Sequence, residues 1–133
     1  MVYRSTAQST QRQPNAGRVL VVEDEAMIAM ALEMELNDMD YEAIGPAIST
    51  HEAERLLEST DIDGAILDVV LVDGEVFPIA EALKARDIPF VFHSGNQDPE
   101  ELEQRYSAPS FMKPTHPQVL IKSLEALISK SSK

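Results

Sequence analysis

The 133-residue chain contains no cysteine, which excludes disulfide bonds, thiol catalysis and a zinc site built on thiolates. It has no apolar run that approaches roughly 18 residues, the length that predicts a membrane-spanning helix, so we expect no contact with a membrane. The N-terminus is polar and lacks the apolar segment of a signal peptide. Together these absences predict a cytoplasmic protein.

Basic residues are scarce: 11 lysines and arginines stand against 23 aspartates and glutamates, which gives a net charge of −12. This balance disfavours nucleic acid as a partner, because affinity for nucleic acid comes from neutralised phosphates. An acidic surface suits basic partners or cations, and it can equally serve only to keep the protein in solution. The chain is otherwise globular in composition, and its length is that of one domain.

Strand and helix patterns alternate along most of the chain. Residues 1–17 are rich in Gln, Ser and Thr and poor in apolar residues, which predicts a disordered tail. From residue 18 to about residue 130, short apolar runs alternate with segments of helical spacing, and nothing remains for a second domain. Near-continuous apolar strands are typical of a parallel sheet covered by helices on both faces. We therefore predict an α/β fold, a flavodoxin-like (βα)5 doubly wound parallel sheet of five strands.

The predicted second strand is weak because Gly45 and Pro46 interrupt it, and the second helix has a capping box in Ser49 and Glu52. The predicted strands are Arg18–Val22, Glu42–Ala47, Ala65–Leu67, Pro89–His93 and Ser110–Met112. Four of the predicted helices have bounds that can be read from the sequence: about Glu25–Asp38, Phe77–Arg86, Pro99–Tyr106 and Pro117–Ser129.

Polar side chains follow four of the five apolar runs, at the point where each strand ends. Glu23 and Asp24 follow the first strand, and Asp68 follows the third. Ser94 and Lys113 follow the fourth and the fifth. The carboxyl ends of parallel strands lie on one edge of an open α/β sheet, where such folds bind ligands. We therefore expect these five residues to form one site.

The residue types in this set indicate phosphoryl transfer. Three carboxylates repel one another unless a cation or a proton intervenes, and oxygen ligands favour Mg²⁺, or Mn²⁺, over zinc. A carboxylate beside Mg²⁺ can attack phosphorus, because the metal screens the charge on both reactants. Ser94 and Lys113 could then bind the phosphoryl oxygens that the metal does not reach. Taken alone, Asp24 could instead be only a helix cap.

Four motifs, in this order and at these spacings, resemble the receiver domain of bacterial two-component response regulators over about residues 18–129. The motifs are Val-Val-Glu23-Asp24-Glu, Ile-Leu-Asp68-Val-Val, His-Ser94-Gly95 and Phe-Met-Lys113-Pro114. The resemblance implies that Asp68 accepts phosphate from the phosphohistidine of a histidine kinase or a histidine phosphotransferase. Phosphotransfer and dephosphorylation would then be self-catalysed, without enzymatic turnover of a free substrate.

The same resemblance assigns roles to the other site residues. It implies that Asp24, Asp68 and the backbone carbonyl of Val70 bind Mg²⁺ directly, and that Glu23 acts mainly through water. It implies that Ser94 is the switch hydroxyl and that Lys113 binds phosphate. The bond between Lys113 and the following proline is usually cis in the family.

The chain departs from the family pattern at Ser110, where an aromatic residue usually stands three positions before the lysine. We expect the loop 94–97 and the helix after it to carry activation instead. The segment Pro-Phe-Val-Phe-His-Ser94-Gly-Asn is similar to a subgroup with a Phe-Ala-Thr-Gly motif, nicknamed FAT GUY, which includes stand-alone receivers. Here His93 and Ser94 replace the Ala-Thr of that motif.

The leading hypothesis is a single-domain response regulator, a monomer or weak dimer, that signals through protein contacts or phosphorelay transfer. One alternative is a Mg²⁺-dependent phosphohydrolase with Asp68 as its nucleophile, and another is a binding module that is not phosphorylated. Three methionines at helical spacing in the first helix either fill the core or form an adaptable docking surface. They are Met27, Met30 and Met34.

Overall fold

The structure is a computed structural model that describes residues 16–131. The predicted tail lies outside these residues except at positions 16 and 17, and β1 begins one residue earlier than predicted. The strands are Gly17–Val22 (β1), Tyr41–Ala47 (β2), Gly64–Leu67 (β3), Val70–Leu71 (β4), Gly74–Glu75 (β5), Phe90–Ser94 (β6) and Ser110–Met112 (β7). The helices are Ala26–Asp38 (α1), Thr50–Ser59 (α2), Phe77–Ala85 (α3), Pro99–Tyr106 (α4) and Pro117–Ser131 (α5).

Five strands form one parallel sheet in the order β2-β1-β3-β6-β7. Alternate residues of β1 face opposite sides of it, as the two-residue period of a strand requires. Val19 and Val21 pack with the apolar residues of α1 and α5, whereas Leu20 and Val22 pack with those of α2, α3 and α4. This is the doubly wound, flavodoxin-like arrangement that the sequence predicts, with helices on both faces.

Local signals explain how α2 begins and why β2 tolerates a proline. The Ser49 hydroxyl accepts a hydrogen bond from the Glu52 N–H at 3.1 Å, as the capping box predicts. The Glu52 carboxylate reaches back to the Ile48 N–H at 2.9 Å, one residue before the cap. Pro46 lies in an edge strand, where a missing N–H is tolerated, and the register of β2 against β1 shifts near it.

The sequence did not predict the small antiparallel hairpin formed by β4 and β5 directly after β3. Its strands have two residues each, too few to produce a detectable period. Asp73 lies at its turn and accepts hydrogen bonds from Thr50 N and Oγ1 at 2.8 and 2.7 Å and from His51 N at 3.2 Å. These bonds lower the pKa of Asp73 and fix the hairpin to the first turn of α2.

The methionines of α1 do not fill the core, so the core-filling interpretation is wrong. The exposed fractions of Met27, Met30 and Met34 are 83%, 57% and 62%. The buried side of the helix is formed by Ala29 and Leu32, together with Leu36. Among residues 16–131, no helix combines the length and the apolar content needed to cross a membrane.

Candidate functional site: an acidic cluster at the sheet edge

Four carboxylates meet where β1 and β3 end. Glu23, Asp24, Glu25 and Asp68 each offer an oxygen, and these oxygens lie within 4.8 Å of one another. Backbone hydrogen bonds fix the chain on both sides of the cluster: Asp68 N–H donates to Val22 O at 2.8 Å, and Glu23 N–H donates to Ala47 O at 2.9 Å. The pairing of β1 with its two neighbours therefore sets the spacing of the acids.

Lys113 enters the cluster from the end of β7. Its ammonium nitrogen lies 3.1 Å from Glu23 Oε2, 2.9 Å from Glu25 Oε2 and 3.1 Å from Asp68 Oδ2. The Lys113 N–H donates to Ser94 O at 2.7 Å, which continues the β6–β7 ladder by one residue. One cation thus contacts three of the four acids, and the cluster keeps an excess of negative charge.

Burial and mutual repulsion change the ionisation of the acids. Burial, followed by the charge of Asp68, raises the pKa of Glu23. Hydrogen bonds from the Glu25 N–H and from Lys113 oppose this rise. The same two causes raise the pKa of Asp24. Burial alone would lower the pKa of Lys113, but its bonds to Glu25 and Glu23 and the charge of Asp68 raise it. The ammonium is therefore charged at neutral pH.

The donor set fits a hard divalent cation. It consists of carboxylate oxygens alone, and Glu23 is only 2% exposed, so water screens its charge poorly. A buried acid whose pKa is raised by a neighbouring acid is stabilised by any added positive charge. Asp24 is only half-buried, which leaves the cluster open to solvent on that side.

Ser94 ends β6 beside Lys113, but its hydroxyl is engaged elsewhere. Among the described residues, its hydrogen-bond partner is Gln97: the hydroxyl donates to Gln97 Oε1 and accepts from Gln97 N–H, the latter at 3.1 Å. In this conformation both hydrogen bonds of the hydroxyl join the end of β6 to the β6–α4 loop. To donate to a group on Asp68, the hydroxyl must give up its hydrogen bond to Gln97 Oε1, because it has only one hydrogen to donate.

The structure thus brings Glu23, Asp24, Asp68 and Lys113 together as the sequence predicts. The Lys113–Pro114 bond is cis, as expected, and the Gly45–Pro46 bond is also cis. Val70 begins β4, two residues after Asp68, and its role as a metal ligand stays a prediction.

Sequence reasoning missed two site residues, Glu25 and Gln97. Glu25 stands in the same Val-Val-Glu-Asp-Glu motif as the predicted acids, and that adjacency was the available signal. The loop 94–97 was expected to carry activation, but the contact of Gln97 with Ser94 was not predicted, because a loop of Ser, Gly, Asn and Gln has no period from which contacts can be inferred.

Comparison with known proteins identifies the family. No family model matches the sequence. The solution structure of SdrG from Sphingomonas melonis Fr1 is 41% identical, with a TM-score of 0.72, and the match covers 86% of this chain and 98% of SdrG. The non-phosphorylated HemR receiver domain from Leptospira biflexa is 32% identical, with a TM-score of 0.72, over 85% of this chain and 94% of that domain. The chain belongs to the response-regulator receiver domains.

The chain is also similar to part of a curated relative. The phyllosphere-induced regulator PhyR of Methylorubrum extorquens is 32% identical over 80 residues, which cover 58% of this chain. The match spans about 30% of the length of PhyR. As a receiver domain, the chain takes part in response-regulator signalling within two-component systems.

Proposed function

We propose that this receiver domain accepts a phosphoryl group on Asp68 from a phosphohistidine, and that Mg²⁺ is required. The donor would be a histidine kinase or a histidine phosphotransferase. One observation carries the proposal: Asp68 is buried and lies 3.1 Å from a lysine ammonium, inside a cluster of four carboxylates. Phosphoryl transfer needs a nucleophile, a fixed cation and a site for a metal in one place, and the carboxylates and the lysine at this edge of the sheet support the proposal that they serve these roles.

The site residues would have the following roles in the transfer. A carboxylate oxygen of Asp68 attacks phosphorus, the P–N bond of the donor breaks, and the imidazole leaves with the electron pair. Lys113 neutralises one phosphoryl oxygen, and Ser94 donates a hydrogen bond to another after leaving Gln97. Asp24, Asp68 and the Val70 carbonyl would hold Mg²⁺, with Glu23 acting through water. Bound Mg²⁺ supplies positive charge that screens the repulsion between carboxylate and phosphoryl group.

Signalling would follow from contacts made by the phosphorylated domain or from passage of the phosphoryl group along a relay. The exposed methionines of α1 support this proposal, because flexible thioethers form adaptable docking surfaces and the helix begins beside the acidic cluster. We propose that the domain acts as a monomer or a weak dimer.

The test is incubation with acetyl phosphate and Mg²⁺, with intact mass and released phosphate measured over time. We expect each wild-type molecule to gain one phosphoryl group, whereas Asp68→Asn gains none. Continuous release of phosphate without an accumulated adduct would indicate a phosphohydrolase instead. Absence of any reaction would indicate a binding module that is not phosphorylated.

A further inference from the structure

His93 makes a contact that the proposed phosphoacceptor role does not use. Its Nε2 accepts a hydrogen bond from the backbone N–H of Thr115 at 3.2 Å. The residue is only 3% exposed, and it directly precedes Ser94 at the end of β6. The bond therefore joins the end of one central strand to the loop that follows Lys113.

The position of the bond explains why a side chain is needed for it. The β6–β7 ladder ends where Lys113 N–H donates to Ser94 O at 2.7 Å. The next residue, Pro114, has no N–H, so Thr115 is the next possible donor. Two adjacent residues of β6 thus hold the backbone on both sides of Lys113: Ser94 through its carbonyl and His93 through its imidazole.

The charge state of the imidazole suits this contact. A nitrogen that accepts from an N–H carries no proton, so the proton of the neutral ring is on Nδ1. Burial, followed by the charge of Lys113, lowers the pKa of His93, which favours that neutral form. Nδ1 itself is buried and has no hydrogen-bond partner among the described residues. Among the described residues, Thr115 N–H is therefore the hydrogen-bond partner of the ring.

We infer that His93 is a positioning residue, which holds the loop after β7 so that the Lys113 ammonium points at Asp68. The inference rests on the proposed phosphoacceptor function and adds a residue to it. The Lys113 side chain leaves the backbone between the two hydrogen bonds to β6 and reaches Asp68 Oδ2 at 3.1 Å, so the two bonds fix the point from which the ammonium approaches Asp68. An unfixed loop would let the ammonium move away from the phosphoryl oxygens.

The test compares two substitutions of similar volume. In His93→Gln the amide oxygen can accept from the Thr115 N–H, whereas His93→Met is apolar and cannot. With acetyl phosphate and Mg²⁺, we expect His93→Met to be phosphorylated about tenfold more slowly than wild type, since a misplaced group costs one to two orders of magnitude. We expect His93→Gln to stay within about threefold, because it keeps the hydrogen bond that fixes the loop.

A second comparison shows whether the effect passes through Lys113. In a Lys113→Ala background, His93→Met should not slow phosphorylation further, because the group that it positions is gone. His93→Asn, too short to reach Thr115, repeats the comparison if the methionine variant does not fold. Thermal melts of every variant separate loss of stability from loss of rate.

The outcomes are distinct. Wild-type rates in His93→Met, or an equal slowing in the Lys113→Ala background, would overturn the role of His93 alone. A glutamine variant as slow as the methionine variant would also overturn it. If wild type itself takes no phosphoryl group, the proposed function fails and the role of His93 fails with it.

Discussion

At the scale of single residues, Glu23 has the least favourable surroundings in the cluster. It is only 2% exposed and faces the charge of Asp68. The Lys113 ammonium that contacts it also contacts Glu25 and Asp68. A carboxylate in such a place stays protonated to a higher pH than it does in the unfolded chain. The ionised form of Glu23 therefore destabilises the fold when no cation is bound in the cluster.

The raised pKa of Glu23 predicts how pH affects stability in the absence of metal. The pKa of Glu23 is raised to about 7, so between about pH 4.5 and 7 the folded chain binds the extra proton. The contribution of Glu23 to stability is thus lost as the pH rises through 7. We expect Glu23→Gln to gain stability relative to wild type between pH 5 and pH 8, by an amount on the order of 1–3 kcal/mol. Urea unfolding in a metal chelator measures the difference.

The comparison with Glu23→Gln is needed because His93 acts in the opposite direction. Its lowered pKa means that the folded chain releases this proton more readily, so its contribution to stability rises with pH. His93 is common to both proteins and cancels in the difference. Parallel stability curves for wild type and Glu23→Gln from pH 5 to 8 would contradict the argument.

Asp68→Asn should abolish phosphorylation and leave the fold intact. The amide has nearly the same shape, can still accept a hydrogen bond from Lys113, and removes one charge from a repulsive cluster. We therefore expect the variant to melt no lower than wild type without metal, and intact mass to show no phosphoryl group. A phosphoryl group on the variant that does not map to a neighbouring acid would exclude Asp68 as the acceptor.

The sequence predicts those site residues whose positions follow from strand ends. Asp68 and Lys113 each end an apolar run, and parallel strands bring such residues to one edge. The contacts of Glu25 and Gln97 depend on the directions of side chains at the start of a helix and in a loop. The sequence has no periodicity that predicts those directions. The contact of His93 could not be predicted either, because its partner is a backbone N–H whose availability depends on where β7 ends.

At the scale of elements, the β6–α4 loop and α4 are the parts that can respond to a group on Asp68. At one end of this segment, the Ser94 hydroxyl accepts a hydrogen bond from the Gln97 N–H. At the other end Tyr106 stacks on Phe77, with ring centroids 5.4 Å apart, and is buried, so α4 is better anchored than its acidic composition suggests. Glu103 of α4 also accepts a hydrogen bond from Ser110 N at 3.2 Å. Movement of Ser94 would therefore be transmitted to α4 and to the start of β7.

We expect a phosphoryl mimic, such as beryllofluoride with Mg²⁺, to change amide hydrogen exchange mainly within residues 94–107. When Ser94 turns toward the mimic it leaves Gln97, and the loop and α4 shift to a new population. Ser110 stands where the family usually has an aromatic residue, and it has no ring whose movement could carry activation. Mass-spectrometric exchange with and without the mimic measures the change, and Asp68→Asn treated in the same way is the control. Changes centred on β7 and α5, with residues 94–107 unaltered, would show that activation takes another route.

Long, regular elements are predictable from the sequence, and short ones are not. α1, α4 and α5 have apolar periods or proline starts that define them, and their bounds lie within a few residues of expectation. The β4–β5 hairpin is defined instead by Asp73 bonding to α2, a contact across 23 residues of sequence. The side of α1 that faces the core is decided by Leu32 and Leu36, and the methionine spacing alone could not show which stripe is buried.

At the scale of the whole molecule, the net charge of −12 opposes compaction, and the acidic cluster concentrates part of that charge at one edge of the sheet. Any cation relieves the general repulsion, whereas only a site-bound cation relieves the cluster. The two effects differ in their dependence on concentration and on the presence of Asp24. Experiments on metal dependence must therefore separate screening from binding.

We expect millimolar Mg²⁺ to raise the melting temperature of wild type more than KCl of equal ionic strength does. Binding to the folded chain alone would add roughly 2.7 kcal/mol at 100 times the dissociation constant, whereas screening depends only on ionic strength. Asp24→Asn removes one carboxylate at the open side of the cluster and changes the net charge by one unit, so its KCl response should stay close to that of wild type while its Mg²⁺ response falls. A Mg²⁺ shift of equal size in both proteins, or one that KCl reproduces, would mean that the cluster is not a magnesium site. A shift confined to wild type would support binding at the edge where β1 and β3 end, because screening alone would act on both proteins.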